Sequence, residues 1–197
     1  GDRGLVSWPD RSSEFRDNID IAVAIGERLE CRAFNALYGN RLPGVPPEIQ
    51  NDLAVQNLTL AAAAVRRIDG VVLIESVSGA PAYPLLTAAD AIAVIDRVER
   101  EGGADNLRFL CDVYHLAVNG DDPSNAISTY LERIGHVQIA DAPGRHEPGT
   151  GQLDIDSYLR QLDELGYGGW VGLEYNPSGA TTDSFAWLPP ERRPAHA

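Results

Sequence analysis

The sequence predicts an α/β fold built on a parallel sheet, and three observations carry that prediction. Short apolar runs alternate with segments of helical periodicity along most of the chain. Successive runs lie about 26 to 37 residues apart, the length of one strand–helix unit. Runs such as Val71-Val72-Leu73-Ile74 are continuous and β-branched, as in strands covered on both faces. A five-stranded doubly wound sheet and part of a (β/α)8 barrel both satisfy the pattern.

In chain order, Phe15, Ile19, Val23, Gly26 and Leu29 keep helical spacing after Ser12 and Ser13, either of which suits a cap. Cys31 to Tyr38 is strand-like and stops at Gly39. Pro46 and Pro47 fit a first helical turn, with Ile49, Leu53, Leu60 and Ala64 continuing one face. The second strand is Val71 to Glu75. Thr87 with Asp90 forms a capping box ahead of Ala91, Ile95 and Val98, and Leu107 to Asp112 reads as the third strand. Asp122-Pro123 opens a helix bearing Ile127, Tyr130, Leu131 and Ile134, followed by a strand from Gly135 to Ala140. Asp154 caps Ile155, Tyr158, Leu159, Leu162 and Leu165, and Trp170 to Glu174 is the last strand.

The 197 residues suit one domain, with a Pro/Arg-containing tail at 188–197. Asp and Glu number 29 against 16 Lys and Arg, a net charge of −13, which disfavours a partner bound through phosphate backbones. No apolar run approaches the ~18 residues of a membrane span. Cys31 and Cys111 lie in apolar runs without metal-site spacing, so both are expected to be reduced core thiols of a cytoplasmic protein. The chain has no methionine and opens on Gly1-Asp2-Arg3-Gly4, so it is expected to lack its own beginning.

Four of the five strands end on an oxygen ligand: Glu75, Asp112, Gln138 and Glu174, separated by 37, 26 and 36 residues. In a parallel barrel all strand C-termini face one mouth, so these side chains are expected to converge. Three carboxylates and an amide oxygen form a hard donor set suited to Mg²⁺ or Mn²⁺. Taken singly, an acid after a strand is more often a turn or cap residue. His115 lies three residues past Asp112, on the same mouth. Strand alternation puts His136 on the face of Gln138, where packing is the expected role, and His146 belongs to the hydrogen bonding of its own loop. That loop carries Arg145, which can grip a carboxylate bidentately. His196 lies in the tail and carries no signal. Dinucleotide, P-loop and nucleophile-elbow motifs are absent.

Four stretches carry a family resemblance: Ile74-Glu75, Asp112-Val113-Tyr114-His115, the block from Gly135 to Gly151 and Gly172-Leu173-Glu174-Tyr175. Together they resemble the hydroxypyruvate isomerase family, which belongs to the xylose-isomerase-like barrels along with ketose 3-epimerases. The likeness extends to about Trp187, and the block from His136 to Gly151 is its most specific part. It implies a parallel (β/α)8 TIM barrel of the xylose-isomerase-like type, with about five βα units present and three expected before Gly1. It also implies interconversion of hydroxypyruvate and 2-hydroxy-3-oxopropanoate (tartronate semialdehyde), in glyoxylate metabolism. Glu75 and Glu174 match the proton-transferring positions, Glu75, Asp112, Gln138 and Glu174 the metal positions, and His115 and Arg145 the substrate contacts. A divalent cation, Mg²⁺ or Mn²⁺, is the implied cofactor. The partner is a small hydroxy or oxo acid, with no nucleic acid or membrane, and a homo-oligomer is compatible with the pattern. Where the family has a Pro-x-Asn-like stretch after the first Glu, this chain has Ser76-Val77-Ser78-Gly79. The rival expectations are a 2-oxo-tetronate isomerase or ketose 3-epimerase with the same site, an endonuclease-IV-like DNA repair enzyme, and an inactive fragment. The nuclease would need a histidine-rich zinc site and basic strips, against four histidines and a charge of −13 here.

Overall fold

Each apolar run forms a strand and each periodic segment a helix lying back across the sheet. The structure is a computed structural model and describes residues 3–189. His196 and the tail from 190 onward lie outside the described residues, as do the first two residues. The strands are β1 (Ala33–Asn35), β2 (Val71–Glu75), β3 (Leu107–Asp112), β4 (Ile134–Ile139) and β5 (Val171–Leu173). The helices are α1 (Ser12–Arg28), α2 (Pro47–Arg66), α3 (Ala88–Gly102), α4 (Val113–Val118), α5 (Pro123–Tyr130) and α6 (Ile155–Glu164). Among the described residues the sheet runs β1-β2-β3-β4-β5, all parallel, as a half-barrel whose end strands each pair on one side only. No helix of the described residues is long and apolar enough to cross a membrane.

Alternation along the strands divides the side chains between two environments. Val72, Ile74, Phe109, Cys111, Val137 and Ile139 face the helices and form the core with residues such as Leu58, Val65 and Ile95. The opposite face lines a trough of about 580 Å³, bordered by Asn35, Leu73, Leu110, His136, Gln138 and Trp170. In β4 the register slips so that Ile134 pairs with Phe109 and His136 with Leu110, leaving Gly135 as the extra residue. A Cβ on Gly135 would lie 2.6 Å from the Arg108 Cβ and 2.8 Å from Leu73 Cδ2, so only glycine fits there.

Several elements differ from the sequence expectation. The strand expected over Cys31 to Tyr38 pairs only over Ala33–Asn35. Beyond Ala36 the backbone turns to other partners: Tyr38 N–H donates to the Tyr83 hydroxyl at 3.0 Å, and its carbonyl accepts from Ser7 N–H at 2.9 Å. Cys31 is therefore exposed, in the turn before the strand, whereas Cys111 is buried as expected. Neither Ser12 nor Ser13 is a cap, because a 3-10 turn at Pro9–Arg11 leads straight into α1, and Leu29 at its end is exposed. The buried face of α2 is Gln50, Ala54, Asn57, Leu58, Ala61, Ala62 and Val65, leaving Ile49 and Leu60 exposed. Two polar residues turn that helix: Gln50 Nε2 donates to the Ser7 and Asn40 carbonyls and Asn57 Nδ2 to the Val6 carbonyl, which satisfies buried backbone. The expected caps Thr87 with Asp90, Asp122 and Asp154 are all in place.

Candidate active site

The C-terminal strand ends bring Glu75, Asp112 and Glu174 together, and each owes its place to local structure. Glu75 closes β2 and is buried, with its Oε2 accepting from Asn35 Nδ2 at 2.6 Å. Asp112 closes β3 and caps α4, its Oδ1 accepting from the His115 backbone N–H at 3.0 Å. This cap turns the chain at once, so the His115 ring comes back over the strand ends. Glu174 follows β5 and is half-exposed. Each of Glu75, Asp112, His115 and Glu174 offers a ligand atom, and all four atoms lie within 4.8 Å of one another. His115 Nε2 is 3.9 Å from Glu75 Oε1 and 3.8 Å from Asp112 Oδ2.

Gln138 pairs across the sheet with Asp112 on one side and Gly172 on the other, on the face that carries the acids. Its Oε1 is buried without a hydrogen-bond partner among the described residues. A buried oxygen with no donor, on a residue paired across the sheet with Asp112, is what a hard cation would satisfy, so the donor set fits a divalent metal. His136 lies deeper on the same face, and its Nε2 occupies space that a side chain on Gly172 would need, at 2.9 Å from the position of the added Cβ.

The guanidinium of Arg145 closes the site. Its Nη2 donates to Glu174 Oε2 at 2.7 Å and lies 3.8 Å from Asp112 Oδ2, while its Cζ sits 5.2 Å over the Tyr114 ring. Arg145 holds a left-handed backbone (φ 58°), a strained conformation for a residue with a side chain, and the loop around it maintains that shape. Asp141 is fully buried and accepts from the N–H groups of Ala142, Gly149, Gly151 and Leu153 at 2.8 to 3.0 Å. Gly151 approaches so closely that a Cβ would lie 2.6 Å from Asp141 Oδ1. The loop in turn grips the segment after β5. His146 Nδ1 donates to the Asn176 carbonyl at 2.6 Å, Asn176 N–H to the Arg145 carbonyl at 2.8 Å, and Glu147 accepts from Ser178.

Crowding sets the charge state. Burial pushes Glu75 up to about 7, helped by the nearby Glu174 charge and opposed by the Asn35 hydrogen bond. Burial and the neighbouring Glu174 and Glu75 also raise Asp112 well above the usual carboxylate range. His115 is held down to about 4 by burial and by Arg145, so its ring is neutral near pH 7. Sequence reasoning missed Asn35, Tyr114 and Asp141. Asn35 ends β1 as the acids end the other strands, and it was hidden by the overlong first strand. Asp141 ahead of a glycine-rich loop was a readable signal.

The family described as Xylose isomerase-like TIM barrel matches residues 2–191. The chain belongs to that family. It is 50% identical over 198 residues to a putative hydroxypyruvate isomerase of Streptomyces coelicolor, covering 98% of this chain and 71% of that one. The hydroxypyruvate isomerase of Escherichia coli is 34% identical, with 98% and 74% covered. A 2-oxo-tetronate isomerase of Pectobacterium atrosepticum is 30% identical, with 96% and 72% covered. A crystal structure named AP endonuclease, family 2, from Brucella melitensis superposes with a TM-score of 0.90 at 33% identity, covering 98% of this chain and 74% of that one.

Proposed function

We propose that the chain is an intramolecular oxidoreductase that interconverts hydroxypyruvate and 2-hydroxy-3-oxopropanoate. The observation that carries this is the pair Glu75 and Glu174, gathered around Asp112 at the mouth of the half-barrel. The reaction moves one proton from C3 to C2 while a second shifts from the C3 hydroxyl to the C2 oxygen, through an enediolate. Glu75 and Glu174 flank the substrate, one taking the C3 proton and the other serving the neighbouring carbon or oxygen. Burial raises the Glu75 carboxyl to about 7 in the metal-free site, which keeps it within reach of both protonation states near neutral pH. Arg145 grips the substrate carboxylate and His115 donates to a substrate oxygen, which together fix the reacting carbons. Glu75, Asp112, Gln138 and Glu174 would hold a divalent cation, Mg²⁺ or Mn²⁺, which supplies Lewis-acid polarisation of the substrate carbonyl. The setting is the cytoplasm, where an exposed thiol such as Cys31 stays reduced.

A four-carbon 2-oxo-tetronate substrate is the second reading, favoured by the relative of that name. A nuclease activity, as in the name of the Brucella structure, finds little support here. The cluster holds a single histidine and the chain carries −13 net charge. A substrate panel decides: EDTA-treated chain with and without added Mg²⁺ or Mn²⁺ is offered hydroxypyruvate, 2-oxo-tetronate and ketoses. Faster turnover of hydroxypyruvate than of the longer substrates supports the assignment, and the reverse order replaces it with the tetronate reading.

A further inference from the structure

Resting on the isomerase assignment above, we infer that the Ser78 backbone amide fixes the tautomer of His115, with Nδ1 bare and the proton on Nε2, so that Ser78 orients the donor His115 turns toward the substrate. His115 lies within the carboxylate cluster and could by distance alone be a cation ligand instead. The far side of its ring decides the matter. The Ser78 backbone nitrogen lies 3.0 Å from His115 Nδ1. A backbone N–H only donates, so Nδ1 presents its lone pair and carries no proton. In a neutral imidazole the proton is then on Nε2. The Ser78 hydroxyl, 2.7 Å from the same nitrogen, adds a second donor to it.

The other end of the ring lies near two carboxyls. Nε2 faces Glu75 Oε1 at 3.9 Å and Asp112 Oδ2 at 3.8 Å. To bind a cation, Nε2 must give up its proton to Nδ1, where it would meet the Ser78 amide. Both residues are buried, so that amide would find no water in exchange. The amide is itself held in place. Ser76 Oγ donates to the Thr87 carbonyl at 2.6 Å, Val77 N–H donates to the Leu85 carbonyl at 3.2 Å, and Gly79 turns the chain at φ 71°. Ser78 is thus a positioning residue acting through His115, and the stretch Ser76-Val77-Ser78-Gly79 has a role in the site.

The test reads the ring itself. Long-range ¹H–¹⁵N correlation spectra of the uniformly ¹⁵N-labelled chain report which nitrogen of each of its four histidines bears hydrogen. His115 is identified by the signals that His115→Gln removes. At neutral pH the expected pattern is Nε2 protonated and Nδ1 bare, unchanged by saturating Mg²⁺. Ser78→Ala, which keeps the amide, should leave it unchanged too. A proton on Nδ1, loss of the Nε2 proton when Mg²⁺ is added, or a tautomer change in Ser78→Ala would each overturn the inference. None of these readouts needs turnover, so a chain inert toward hydroxypyruvate with the expected tautomer would sink the isomerase assignment alone. In the active protein, His115→Gln places an amide N–H where Nε2 stood, whereas the shorter His115→Asn cannot. The expected kcat/KM of the Gln variant is about tenfold higher, the value of one hydrogen bond. Equal losses in the two variants would contradict the donor role.

Discussion

Glu75 and Asp112 are buried carboxyls crowded by a third, and their energetics make the site testable residue by residue. Glu75→Gln or Glu174→Gln should lower kcat by at least ~10²-fold, the usual scale for a general acid or base. Arg145→Ala should chiefly raise KM, because substrate and transition state share that contact. Near-normal kcat in both glutamine variants would refute the proton-transfer roles. The raised pKa values also fix a pH dependence with a definite sign. Glu75 titrates near 7 in the fold and near 4.5 without it, so the folded state binds the extra proton between those values. Stability of the metal-free chain therefore falls as pH rises through that window, by about 3 kcal/mol from Glu75. A divalent cation held by these carboxyls displaces that proton. Added Mg²⁺ or Mn²⁺ should accordingly raise Tm more at pH 8 than at pH 5, and an equal shift at both would show that these carboxyls do not hold it.

At the level of elements, the loop between β4 and α6 does most to place the site. Asp141 gathers four backbone N–H groups, and they outweigh its burial and hold its carboxyl below the usual range. Asp141→Ala strands those donors, so a loss of about 3 kcal/mol is expected in chemical denaturation, with a raised KM as Arg145 loses its anchorage. Unchanged stability and KM would show that the loop holds itself. The loop also explains how Glu174, following a three-residue strand at an open edge, stays beside the other acids. What the sequence disclosed follows the same division. β2 and β3 were legible to the residue because a short, largely apolar run between turn signals needs no tertiary information. β1 was not, since Tyr38 leaves the sheet for Ser7 and Tyr83, partners remote in sequence. The α2 face was misjudged for a related reason: Gln50 and Asn57 are buried by bonds to a distant backbone that periodicity cannot show. The four strand-end oxygens could be read from position alone, whereas Asn35 and Ser78 act through hydrogen bonds that no spacing announces.

At the scale of the whole fold, the described residues form a half-barrel with two open edges and an uncovered trough. At one edge Trp170 is 80% exposed and Leu173 lies beside it, and on α1 Ile21, Ile25 and Leu29 form an exposed stripe at four-residue spacing. Open parallel edges flanked by apolar side chains favour association. Sedimentation velocity of the chain should show self-association that grows with concentration, and a monomer stable across the micromolar range would contradict this. The trough reaches Asn35, whose Nδ2 donates to Glu75 Oε2, so the uncovered face and the acid cluster share a residue. The most direct test of the central claim is ¹H NMR of the chain with hydroxypyruvate in D₂O, with divalent cation present. If Glu75 and Glu174 move a proton through an enediolate, 2-hydroxy-3-oxopropanoate appears and deuterium enters at carbon, and both signals vanish in Glu75→Gln and Glu174→Gln. Hydroxypyruvate left unchanged, or converted equally well by both variants, would contradict the account.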